Sequence, residues 1–224
     1  MDIFTDASLN DKTKIAGVGI VFVHSRIPEV VQREITYFST DNIETAELYA
    51  ISVAIMDSAC FNPDIVRIFS DSYRSLRKLQ HVFKYPDQNR MDSIDSPLQK
   101  KILYGISDTF ANMSHIAFEF HGIHGHQPHP DRLSDGYYNN LADQEAQTGR
   151  MYGEQKIKSG KISLAFSDKA FLTDTDNQRT SPIVTPHTIS FIYASDSQPI
   201  PIVRHRGRTR GHLFRRDKCG NRRG

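Results

Sequence analysis

The chain has 224 residues, 38% of them apolar and 24% charged, with a formal net charge of +2 and two cysteines. That length supports one substantial domain with a smaller appendage, and two cysteines exclude a disulfide-stapled miniprotein. The longest uninterrupted apolar run, Ile15 to Val23, is too short to span a bilayer, and the N-terminus lacks the succession of a secretory signal. A reducing setting, cytoplasmic or nuclear, and no membrane are therefore expected.

Three strands open the chain. Asp2 to Ala7 is a short candidate, Ile15 to Val23 reads as a well-buried strand, and Val30 to Ser39 alternates loosely. Their short connections predict antiparallel pairing. Asp41 and Glu44 stand three apart, the spacing of a capping box, and Ala46, Ala50, Val53, Ala54 and Met56 recur behind them at helical spacing. A helix is expected to about Cys60, itself read as a small core residue. Pro63 breaks it.

Ile65 to Ser70 is the fourth strand and runs into Asp71. A helix follows, with Leu76, Leu79 and Val82 on one face. Residues 84 to 95 read as a polar loop. Ser96 and Pro97 mark another helix, an N-cap with proline at the first helical position, and Leu98, Ile102, Ile106 and Phe110 give it an apolar stripe. His115 to Phe120 is the fifth strand. His121 to Ser134 reads as a loop, and a last helix covers roughly Gly136 to Lys156. The predicted class is α/β: a five-stranded mixed sheet, three antiparallel strands then helix-connected ones, with helices on its faces.

The expected domains are a catalytic unit over 1–156, a β-rich or irregular extension over 157–203 that includes KISLAFS and TISFIYAS, and a basic Arg/Gly-rich tail over 204–224. That tail holds eight Arg and one Lys against Asp217, whereas the rest of the chain holds 19 basic and 25 acidic residues. A tail so poor in apolar groups is expected to be disordered and to follow a phosphate backbone.

Four acids stand at element ends: Asp6, Glu47, Asp71 and Asp143. If the strands carrying Asp6 and Asp71 are neighbours, both acids point into one crevice beside the helix carrying Glu47. Such a cluster repels itself unless cations neutralise it, and hard Mg²⁺ prefers carboxylate and phosphate oxygens.

The phrases IFTDAS, TAELYAI, VRIFSDS and NNLADQEA, in that order on strand, helix, strand and helix, resemble the ribonuclease H family. AELYAI and IFSDS are most similar to the ribonuclease H domains of retroelement reverse transcriptases. The resemblance covers about residues 1 to 150. It implies an endoribonuclease that hydrolyses the RNA strand of RNA–DNA hybrids by two-metal-ion, in-line attack of water, with Mg²⁺ replaceable by Mn²⁺. By position, Asp6 matches the aspartate that bridges both metals, Glu47 and Asp71 the pair completing one site, and Asp143 the last aspartate. Asn139 and Ser72 match weaker positions, and Asn42, Ser72 and Asn139 are the candidate substrate contacts. The family's loop histidine has four competitors here, His121, His124, His126 and His129; His126 follows a glycine and is preferred, with His124 second.

Two departures stand out. The lysine-rich helix that some members use to grip a hybrid has no counterpart in residues 81 to 95, and the histidine loop is longer than usual. Two alternatives remain: a non-catalytic nucleic-acid-binding protein of the same fold, and a DNA-cleaving nuclease, against which the position of Glu47 argues.

Overall fold

The computed structural model describes residues 1–27, 29–84, 90–159 and 189–193. Strands β1 (Asp2–Asn10), β2 (Ile15–Val23) and β3 (Val30–Ser39) form an antiparallel meander. Helix α1 (Ile43–Ser58) leads to β4 (Ile65–Ser70), then come α2 (Tyr73–Phe83), α3 (Pro97–Asn112), β5 (Ala117–Gly122), α4 (Asp135–Lys158) and β6 (Ile189–Tyr193). The sheet order is β3-β2-β1-β4-β5-β6, with β1, β4, β5 and β6 parallel. The five expected strands and their mixed pairing are present, and β6, inside TISFIYAS, adds a sixth. KISLAFS and the basic tail lie outside the described residues.

The alternation of side chains along β1 sorts the core into two layers. Ile3 joins Val18, Ile20, Phe22, Leu48, Ile68, Leu103 and Phe118 beneath α1, α2 and α3. Phe4 turns to the other face and packs with Val21, Phe69, Tyr138 and Leu141 beneath α4. Each such side chain contributes about 1.5–3 kcal/mol by leaving water. Every residue of β2 is buried, since this interior strand is covered by helices on both faces.

Two glycines let α4 lie on the sheet. A Cβ on Gly17 would sit 2.1 Å from the Ala146 carbonyl oxygen, and one on Gly19 2.0 Å from that of Ala142. Helix backbone therefore rests directly on strand backbone, with Ala142, Ala146 and Gly149 as its own small contact residues.

The structure corrects several local expectations. Asn42, not Asp41, caps α1; its side chain accepts from the Glu44 and Thr45 N–H groups at 2.8 and 3.4 Å. Cys60 is exposed rather than in the core, because α1 gives way to a 3-10 turn at Ala59–Phe61, and Met56 is exposed on α1 itself. The fifth strand begins two residues later than expected and includes His121, which stacks on Phe69. Ser96 caps α3 as expected, accepting from the Gln99 N–H.

Candidate active site

Asp6 lies on β1 and Asp71 directly follows β4, its parallel neighbour, so both carboxylates emerge at one end of the sheet. Glu47 comes from the second turn of α1. Ligand oxygens of Asp6, Glu47 and Asp71 all lie within 4.8 Å of one another. Asp143, in the third turn of α4, stands outside that triad, yet its charge acts on both Asp6 and Asp71. Gln147, one turn on, donates to both Asp143 oxygens at 2.9 and 3.0 Å.

Burial and mutual repulsion set the protonation of the cluster. Burial first, then the charge of Asp71, pushes Asp6 up to about 8, against the opposing Ala7 N–H, which donates to Asp6 Oδ1 at 2.7 Å. Glu47 is raised well above the usual carboxylate range, again by burial and then by Asp6 and Asp71. Burial also raises Asp71, while a side-chain hydrogen bond from Asn139 favours its ionised form. Among the described residues, no basic side chain offsets any of the three shifts.

These residues fit a cation. Glu47 Oε2 is buried and has no hydrogen-bond partner among the described residues, and such an orphan oxygen costs free energy unless something positive meets it. A set of three to four carboxylate oxygens without sulfur or imidazole suits a hard divalent ion.

The loop from Ile123 to Leu133 closes one side. Gly125 is what permits its approach, since a Cβ there would lie 2.2 Å from Asp71 Oδ2. The next residue, His126, has a left-handed backbone (φ 35°), and its Nδ1 stands 3.8 Å from Asp143 Oδ2 with the ring 81% exposed. Asn140 donates to the Gln127 carbonyl at 2.7 Å and ties the loop to α4. His124 and His129 are exposed in the same loop. His121 is set apart from the loop on β5, 3.2 Å from Glu119.

The remaining candidates hold local structure as well. Asn139 is buried, and its Oδ1 lacks a partner. Ser72 begins α2, and its hydroxyl donates to Ser75 Oγ at 2.9 Å. Asn42 borders a shallow groove with Leu9, Asp11, Asp41 and Ile43. Gly125 was missed by sequence reasoning; its signal was a glycine one residue before the preferred histidine.

The strand order, with Asp6 midway along β1 and Asp71 just past the end of its parallel neighbour β4, is that of a ribonuclease H-like sheet. The RNase H family model matches residues 1–151, and the chain belongs to that family. Among solved structures it is similar to the Prototype Foamy Virus protease–reverse transcriptase, at 23% identity and a TM-score of 0.55 over 66% of this chain and 20% of the viral one. The likeness thus spans about a fifth of that polypeptide. It is also similar to LC11-RNase H1, isolated from compost and solved with an RNA/DNA hybrid, at 18% identity and a TM-score of 0.51 over 68% of this chain and 97% of that one. The N-terminal RNase H domain of a Mycobacterium tuberculosis protein matches at 13% identity and 0.51 over 70% and 98% of the two chains. At these identities the likeness concerns the fold. No curated protein sequence matches the chain.

Proposed function

We propose that the protein is an endoribonuclease that cuts the RNA strand of RNA–DNA hybrids with divalent cations held by Asp6, Glu47, Asp71 and Asp143. The observation that carries this is the acidic triad, with its oxygens within 4.8 Å and, among the described residues, an unpartnered buried Glu47 Oε2 and no basic counter-group. Family membership supports the reaction, and the hybrid bound by LC11-RNase H1 supports the substrate class.

When bound, Mg²⁺, or Mn²⁺ in its place, supplies charge neutralisation and Lewis acidity at a phosphodiester. The chain's own residues set the stage for in-line attack by water, leaving a 3′-hydroxyl and a 5′-phosphate. The Ala7 N–H fixes Asp6, and a hydrogen bond from Asn139 favours the ionised form of Asp71 against the opposing effect of burial. His126, close to Asp143 yet open to solvent, can take a proton on its imidazole and release it to bulk water. Asn42 offers its amide N–H groups at the groove, since its Oδ1 is committed to the helix cap. The basic residues of 204–224 would follow the phosphate backbone.

The test is cleavage of a labelled hybrid by the full chain with Mg²⁺, with EDTA, and by Asp71→Asn. Cleavage that needs Mg²⁺ and disappears in the folded Asp71→Asn protein is expected, because asparagine keeps the shape but brings no charge to the cation. A wild-type protein that binds hybrid yet leaves it intact would instead be a non-catalytic binder.

A further inference from the structure

Helix α2 is amphipathic in an unusual way. Its buried side is Ser75, Leu76, Leu79, Val82 and Phe83. The opposite side carries Arg74, Arg77 and His81 and continues into Lys84, all exposed and spaced three, four and three residues apart. That spacing makes one straight stripe along the helix. From Tyr73 to Lys84 there is no acidic residue.

Ordinary solvated helix faces mix both signs, and this one sits in a body where acids outnumber bases outside the tail. Lys78, also on α2, is engaged internally: it pairs with Glu44 and contacts Gln99. Gln99 in turn donates to Thr45 Oγ1 at 2.9 Å, which locks α2 to the starts of α1 and α3. No ion pair involves Arg74, Arg77 or Lys84 among the described residues. Like charges at helical spacing repel one another, so the stripe destabilises the free helix unless something anionic meets it.

Its placement says what that is. Arg74 follows Asp71 by three residues, so its Cα lies within about 10 Å of that of Asp71 along the chain. The stripe then runs about 15 Å further, at 1.5 Å per residue. At about 3.4 Å of rise per phosphate of one strand, that length matches roughly four successive phosphates.

We propose that the α2 stripe of Arg74, Arg77 and Lys84 is a phosphate-backbone rail that receives one strand of the nucleic acid as it leaves the acidic cleft. This rests on reading that cleft as the cleavage site. The rigid helix, pinned through Lys78, Gln99 and Thr45, presents the charges at fixed spacing. The rail reads charge and not base identity, since none of its residues reaches a base edge when engaged with phosphate.

The experiment neutralises the stripe in the full chain with Arg74→Gln, Arg77→Gln and Lys84→Gln together. Hybrid binding is titrated with salt in Ca²⁺, and turnover is measured in Mg²⁺. Three lost phosphate contacts should flatten the slope of log affinity against log salt by about 2.7, at about 0.9 per contact. KM should rise at least tenfold while kcat at saturation stays within about twofold. Lys156→Gln with Lys158→Gln, at the far end of α4 about 20 Å beyond Asp143, measures the contribution of net charge alone and should change the slope by well under 1. An unchanged slope and KM in the triple variant overturns the rail while leaving the nuclease reading intact. Equal slope changes per charge in the triple and control variants also overturn it. If wild type does not cleave hybrid, the nuclease reading fails instead, and the slope difference still decides whether the stripe binds phosphate.

Discussion

Adding one methyl group at Gly19 should disable the site without touching an acid. The new Cβ would sit 2.0 Å from the Ala142 carbonyl oxygen and 2.4 Å from the Ala146 nitrogen. Both are helix backbone atoms, so no rotamer change relieves the clash. Restoring ordinary contact requires α4 to retreat locally by about 1.4 Å. Asp143 is the next residue after Ala142, so its carboxylate moves away from Asp6 by about 1 Å. Misplacement of that size costs about a hundredfold in rate. Overpacking of this kind costs about 1–3 kcal/mol, which lowers Tm by roughly 3–10 °C for a domain of this size. The assay pairs hybrid cleavage at saturating Mg²⁺ with thermal unfolding. Gly105→Ala is the control: it lies within α3, a Cβ there meets nothing within 4 Å, and it should stabilise by about 0.5–1 kcal/mol with normal activity. A Gly19→Ala protein with wild-type Tm and rate would show that α4 is not held by this contact.

Three further outcomes are expected. His126→Ala should slow turnover about ten- to a hundredfold, because water partly replaces a proton carrier; a normal rate there with a fall in His124→Ala would move the role to His124. Asp6 is ionised near pH 4 when unfolded but only near 8 when folded, so between those values the folded state holds more protons and metal-free stability must fall as pH rises; Tm in EDTA should therefore drop from pH 5 to 8, and Mg²⁺ should raise Tm most at pH 8, whereas a flat EDTA profile would contradict the burial of these acids. Cutting the chain after Val203 should flatten the salt slope of hybrid binding by roughly three to four units, for about four phosphates at 0.9 each, and leave saturated cleavage intact; parallel salt lines would mean that the tail does not touch nucleic acid.

What was legible in the sequence follows from which forces act locally. The nearly continuous apolar run Ile15–Val23 reads as a well-buried strand, and its bounds are those observed. Ser96–Pro97 fixes a helix start by backbone chemistry alone, and it was placed correctly. The start of α1 was misread by one residue because Asp41, Asn42 and Glu44 all carry capping groups, and only the turn geometry selects Asn42. The four acids are readable as a group, but their separation is not, and the structure places Asp6 midway along β1 and Asp143 in the third turn of α4 rather than at element ends. The triad closes because β1 and β4 are parallel neighbours, a long-range pairing with no local signature.

Asp143 shows the same limit from the other side. Its residue type and order were legible, whereas its distance from Asp6 is set by Gly17 and Gly19 on a strand that carries no site residue. In the sequence those glycines look like a weakness in a buried strand, since each costs backbone entropy and leaves nothing to pack. In the fold they are the reason a helix backbone can rest on the sheet and bring a fourth carboxylate to the cleft. The same reasoning applies at Gly125, where the missing side chain lets a histidine loop lie against Asp71. The acids supply the charge, and three residues with no side chain decide where two of the site's elements come to rest.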